Sequence, residues 1–139
     1  MSALPSQSRY IIGTEACERF SFYGMKSILM LYMTGHLLMS DNWSTSTLHI
    51  FVAMVYLLPL AGAWLADKVW GRYKTILYIS LLYCVGHGVL ATADLSHTIE
   101  ARRYILMAGL FIIALGAGGI KPCVSAFMGD QIPNKSPQL

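Results

Sequence analysis

Glu15-Ala16-Cys17-Glu18-Arg19-Phe20-Ser21-Phe22-Tyr23-Gly24-Met25-Lys26 leads, through Ser27-Ile28, into Leu29-Met30-Leu31-Tyr32-Met33. An apolar segment of that kind suits lipid, yet it carries two acids and two bases. Charge at the centre of a membrane helix costs roughly 2.5 to 3.5 kcal/mol per Arg, Lys or Asp on insertion scales. A sequence keeps such groups where they face protein or water and perform a task. The stretch therefore points to an all-α membrane fold and to a polar site inside it.

Composition agrees with the membrane reading. The 139 residues are 55% hydrophobic and 12% charged, about half the ~25% charged share of soluble domains. The 12 glycines and 8 methionines suit helices packed closely in lipid. A net charge of +3 without a basic run gives no reason to expect a nucleic-acid partner. Cys17, Cys84 and Cys123 lie in apolar stretches without metal-ligand spacing, so no metal site is expected and the thiols read as small apolar groups. The polar leader of residues 1–8 enters the first apolar segment directly, so no cleavable signal is expected.

Four spans of at least about 20 residues can be marked, at 10–37, 48–66, 73–91 and 104–127. The first and last exceed the minimum, which predicts tilt, a kink or helix projecting beyond the bilayer. The second connection, Asp67-Lys68-Val69-Trp70-Gly71-Arg72-Tyr73-Lys74, holds three basic residues. The positive-inside rule then makes it cytoplasmic, together with both termini. Arg102 and Arg103 fall on the outer side in this orientation and are outnumbered by Arg9, Lys68, Arg72, Lys74 and Lys135. Ser44-Thr45-Ser46-Thr47 reads as the cap region of the second helix.

On the first helix, a step of about 100° per residue puts Arg19, Phe22 and Lys26 within about 40° of Glu15, with Glu18 about 60° to one side and Tyr23 about 80° to the other. Two acids and two bases share one broad, net-neutral stripe. It reads either as an ion-pair network that holds helices together or as a hydrated, protein-lined pathway, the usual role of intramembrane ionisable groups. On the fourth helix, Gly116-Ala117-Gly118-Gly119-Ile120-Lys121-Pro122 combines close-packing glycines with a kinking proline. Counted along the helices at ~1.5 Å per residue, Lys121 and the Glu15–Glu18 pair both lie roughly 8 to 12 Å from the cytoplasmic surface. That shared depth makes Lys121 the expected partner of the acids, with snorkelling to the interface as the alternative. His49 and Tyr56, seven residues apart, fall on one face of the second helix. His49 serves either a specific role or a plain hydrogen bond to a neighbouring helix. His87 lies toward the outer side of its span, within possible reach of His49, while His36 and His97 read as solvated. Asp67 and Arg72 bracket the cytoplasmic turn and can lock two helices together in one conformation; the alternative is simple topogenic charge.

These residues resemble the proton-dependent oligopeptide transporters, a branch of the major facilitator superfamily. Glu15-x-x-Glu18-Arg19-Phe20-x-x-Tyr23 is similar to that family's first signature. Gly62 through Ala66-Asp67 to Gly71-Arg72-Tyr73-Lys74-Thr75-Ile76 looks like its cytoplasmic motif, and the run from Gly116 to Phe127 like its fourth-helix signature. His49 and Cys123 resemble the animal-like peptide carriers. The resemblance implies four helices of the amino-terminal six-helix bundle of a major facilitator fold. It also implies inward proton-driven uptake of di- and tripeptides by alternating access, with protons as the coupling ion and no cofactor. It assigns proton coupling to Glu15, Glu18, Arg19, Lys121 and His49, and peptide contact to Arg19, Tyr23, Lys26, Tyr56 and Lys121. Asp67 and Arg72 would act in conformational gating. Phe22 departs from the family, where many members place a second pocket tyrosine, and keeps only the apolar wall.

The family has twelve or fourteen spans, so these four are expected to be inactive alone, their partners being lipid, peptide, protons and the missing remainder of the transporter. The cell membrane, multi-pass with a cytoplasmic amino terminus, is the expected location. Two rival readings stand beside this one: a self-contained four-helix proton-coupled exporter, and a non-transporting membrane scaffold or assembly partner. No nucleophile–base pair, metal set or phosphate loop suggests an enzyme.

Overall fold

The computed structural model describes residues 6–130 and, over these, is a four-helix antiparallel bundle. Helix α1 spans Ser6–Leu31 and closes in a wider π turn at Tyr32–His36. Helix α2 spans Asp41–Leu65 and is continued by a second π turn at Ala66–Trp70. Helix α3 covers Arg72–Ala91 and ends in a 3₁₀ turn at Thr92–Leu95, and α4 covers Ile99–Asp130. Three units, Asp41–Trp70, Arg72–Leu95 and Ile99–Asp130, are long and apolar enough to cross a membrane. Helix α1 has the length, at 26 residues, but its apolar residues are diluted by Arg9, Glu15, Glu18, Arg19 and Lys26.

The turns follow from local chemistry. Gly71 sits at φ 80°, ψ 159° between α2 and α3, a conformation open to a residue without Cβ. Its carbonyl then accepts the first backbone bond of α3, from the Thr75 amide at 3.1 Å. Ahead of α2 the cap is Ser40, not the Ser44–Thr47 run expected from sequence. Ser40 is extended (φ −64°, ψ 152°) and its hydroxyl accepts from the Trp43 amide at 3.4 Å. Asp41 adds a carboxylate in the first turn, where the helix dipole favours it. The helix thus starts several residues early, and Ser44 and Thr47 are buried within it.

Helix α4 is the core of the bundle. Its most apolar stretch is 56% buried, against 17% and 22% for those of α2 and α3, and every residue from Gly116 to Ile120 is buried. The small residues there let α2 and α3 approach from two sides. A Cβ added at Gly62 on α2 would lie 2.6 Å from the Gly119 Cα, so the two backbones touch. A Cβ at Gly116 would meet the Tyr83 Cβ of α3 at 2.7 Å. The outward faces of α2 and α3 leave Leu57, Leu60, Trp64, Leu77, Leu81 and Val85 exposed, as lipid-facing helices should.

Helix α1 joins this core through Phe22, Leu29 and Met33, continued past its π turn by Leu37. Phe22 stacks on Phe51 of α2 at 5.8 Å between ring centroids. At its end the chain is held by Arg103 of α4, whose Nε and Nη2 donate to the Leu37 carbonyl at 3.2 and 2.9 Å, with Nη2 also reaching the Leu38 carbonyl at 2.9 Å. Arg102 likewise donates to the Ser96 carbonyl at 2.9 Å. The two arginines that ran against the charge asymmetry thus have local partners among helix-end carbonyls, where a cation is favoured.

Candidate functional site: the charged face of the first helix

Glu18 is 6% exposed, a position at which a carboxylate needs a counter-charge. Arg19 supplies it. Its Nη2 donates to Glu18 Oε1 at 2.6 Å and its Nε donates to Oε2. Successive helical residues do not normally face each other. Here the long Arg19 arm folds back over α1, its guanidinium 5.1 Å from the centre of the Phe22 ring. The cation therefore lies between a carboxylate and an aromatic face, both on its own helix. Phe22 has become core, 5% exposed, and its ring is the floor on which Arg19 rests.

Lys121 does not join this pair. Its Nζ stands 4.9 Å from the centre of the Tyr56 ring on α2, and among the described residues it has no ion pair within 4.0 Å. The depth argument that matched Lys121 to Glu15 and Glu18 is corrected on this point. Arg19 occupies both Glu18 oxygens, and the lysine is taken up by a cation–π contact to α2 instead. Neither Glu15 nor Lys26 forms an ion pair among the described residues; both are half-buried on α1. Tyr23 and Tyr56 are 57% and 67% exposed, free to meet a ligand or a neighbouring element. His49 is exposed on α2.

His87 faces α1 rather than His49. Its Nε2 lies 3.4 Å from the Ser21 hydroxyl, and its ring meets the Tyr83 ring edge-on at 4.6 Å. The Tyr83 hydroxyl in turn donates to the Glu18 main-chain carbonyl at 3.3 Å. Its place along the span put His87 toward the outer side of α3 but could not say which helix it would face. His36 has a partner as well, with Nε2 3.2 Å from an Asp94 carboxylate oxygen that also accepts from Tyr32 at 2.8 Å.

At the opposite end, Arg72 spans three elements. Its Nε is 3.8 Å from Asp67 at the end of α2, and its Nη1 donates to Asp130 of α4 at 2.5 Å. Sequence reasoning found Asp67 and Arg72 and missed Asp130, the acid that makes the closer contact. Behind them Cys123 is buried, its thiol 3.8 Å from the Gly62 carbonyl, at the α2–α4 crossing. No group of three or more potential metal ligands occurs among the described residues.

Residues 73–139 match the POT family. The chain is 45% identical, over 137 residues and 97% of its length, to peptide transporter family 1 of Drosophila melanogaster. It is 43% identical over 133 residues to solute carrier family 15 member 1 of Homo sapiens. It spans 18% and 19% of those relatives' lengths. Among solved structures, the POT family transporter PepTSo superposes on 94% of this chain and 26% of its own, with a TM-score of 0.81 and 47% identity. An auto-inhibited POT family peptide transporter does so over 93% of this chain and 25% of its own, with a TM-score of 0.82 and 45% identity. The four helices thus match about a quarter of those larger transporter folds, and the chain belongs to the proton-dependent oligopeptide transporter (POT) family.

Proposed function

We propose that the longer transporter to which these helices belong couples inward proton movement to uptake of di- and tripeptides by alternating access, and that the four helices alone are inactive. The observation that carries the reading is the buried Glu18 carboxylate holding Arg19 with both oxygens. While Glu18 is ionised, Arg19 is committed to it. Protonation removes the charge that holds the guanidinium and leaves Arg19 free to take a peptide's terminal carboxylate, a geometry its planar fork suits. Lys121, resting on Tyr56 and without an acid partner among the described residues, offers a second cation to the same carboxylate. Glu15 and His49 share in the proton handling, and Tyr23, Lys26 and Tyr56 contact the peptide. Each pKa unit of difference between the two conformations is worth about 1.4 kcal/mol, so a two-unit difference would bias them about a hundredfold.

Asp67 and Arg72, with Asp130 as the closer acid, form the gate at the cytoplasmic end of the bundle. The orientation is that of the charge asymmetry, with the amino terminus in the cytoplasm and the protein in the plasma or inner membrane. The support is the family membership, the named peptide transporters among its relatives, and the contrast between Arg19, bound to Glu18, and Lys121, which has no ion pair among the described residues. In the complete protein reconstituted in liposomes, Glu18→Gln and Lys121→Ala should each abolish uptake of a dipeptide driven by an imposed proton gradient. Normal accumulation in both variants would defeat the mechanism.

A further inference from the structure

We propose that His87, together with Tyr83, is a positioning residue that holds the Glu18–Arg19 pair in place from the third helix. The proposal rests on the peptide-symport reading above and adds a part that none of the three signature motifs contains. It begins with how loosely α1 lies on α3. Two grooves run along that seam, one of about 730 Å³ lined by Thr14, Glu18, Ser80 and Cys84 among others, and one of about 250 Å³ lined by Met25, Tyr32 and Leu90 among others. His87 borders both and stands between them like a post. Where apolar packing is interrupted in this way, polar contacts decide the rotation and height of the helix.

Those contacts converge on one turn of α1. The His87 Nε2 meets the Ser21 hydroxyl at 3.4 Å, and the Tyr83 hydroxyl donates to the Glu18 carbonyl at 3.3 Å. A main-chain carbonyl has two lone pairs, so it can accept from Tyr83 without surrendering its helical bond. Tyr83 is itself immobile: it is 6% exposed, Gly116 of α4 lies against its Cβ, and its ring braces the His87 imidazole at 4.6 Å. The fixed core of the bundle thereby reaches α1 at the residues that carry the coupling pair. Rotation of α1 away from these two contacts would expose the Glu18 carboxylate and carry the Glu18–Arg19 pair, together with Phe22, out of its place against the core. The role of His87 is therefore a hydrogen bond, with no need for it to carry a charge.

The test compares His87→Leu, His87→Gln and Tyr83→Phe in the complete transporter in liposomes, using radiolabelled dialanine and an imposed inward proton gradient. Leucine fills the volume without the bond, whereas glutamine can still bond Ser21 but cannot carry a proton. The expected result is a loss of driven uptake of about five- to tenfold for His87→Leu, the factor for one hydrogen bond, with a similar loss for Tyr83→Phe and recovery in His87→Gln. Wild-type uptake by His87→Leu, or glutamine as impaired as leucine, would overturn the proposal. Amide exchange of residues 15–23 in the same proteins reads positioning without reference to substrate. Exchange should quicken in His87→Leu and stay slow in His87→Gln, and equal protection in both would also overturn it. A wild type that takes up no dipeptide would defeat the symport reading alone, leaving the exchange measurement to decide this one.

Discussion

Replacing Gly62 with alanine should separate the two helices that hold the bundle together. The added Cβ would lie 2.6 Å from the Gly119 Cα, 2.9 Å from its carbonyl oxygen and 3.2 Å from its carbonyl carbon. All three obstacles are backbone, so no side-chain rotation relieves them. Restoring an ordinary contact of about 3.5 Å requires α2 and α4 to part by close to 1 Å. That shift loosens the contacts around Gly118 and weakens the Cys123 contact to the Gly62 carbonyl. Overpacking of this kind costs about 1 to 3 kcal/mol, offset by the few tenths to 1 kcal/mol that alanine gains over glycine in a helix. Two companion variants make the argument sharp. At Gly119 the nearest obstacle is the Ile79 Cδ1 at 2.6 Å, the end of a flexible side chain, so Gly119→Ala should cost less than Gly62→Ala. At Gly24 nothing lies within 4 Å, so Gly24→Ala should be neutral or slightly stabilising. The assay is the thermal midpoint of each purified variant in the same detergent. Equal midpoints for Gly62→Ala and Gly24→Ala would refute backbone contact as the basis of the α2–α4 packing.

Arg103→Ala removes a charged donor from the Leu37 and Leu38 carbonyls and should destabilise the protein by about 2 kcal/mol. Lysine at the same place should recover only part of that by the same thermal measurement, because it cannot present a fork to two carbonyls. The Arg72–Asp130 contact is partly exposed, so a double-mutant cycle on thermal stability should give a coupling below about 1 kcal/mol. Its importance should show instead in transport, where Asp130→Asn is expected to lower driven uptake at least as much as Asp67→Asn does, read from initial rates of dipeptide accumulation.

What could be read from sequence and what could not divides along the range of the interactions. Helices α3 and α4 follow from apolar length and from Gly71, local signals that need no partner. The start of α2 was misplaced because four consecutive hydroxyl residues look like caps, while the backbone turns extended at Ser40, a feature that composition does not register. The charged stripe of α1 was legible because helical period alone groups Glu15, Glu18 and Arg19. Partners were another matter. Depth along an axis is one coordinate of three, and Lys121 had the right depth but settled over Tyr56 of α2. Asp130 could have been found by asking which acid at the same membrane level closes on Arg72. For His87 no such question was available, since nothing in the sequence says that α3 turns that face to Ser21.

The manner of packing carries a consequence for mechanism. Helices α2 and α3 each pack closely on α4, at Gly62–Gly119 and at Gly116–Tyr83, so each should move with α4. Helix α1 joins them through a few apolar side chains, the Arg103 clamp beyond its end and the polar contacts of Tyr83 and His87. It also carries the buried acid whose charge state is proposed to change. A protonation event is expensive to transmit through a close-packed core, where any displacement costs contacts on every side. It is far cheaper to transmit through a helix held at discrete polar points, because releasing one bond frees a whole turn. The division of this bundle into helices packed on α4 and a charged helix held at discrete polar points suits the proton-driven switch proposed above.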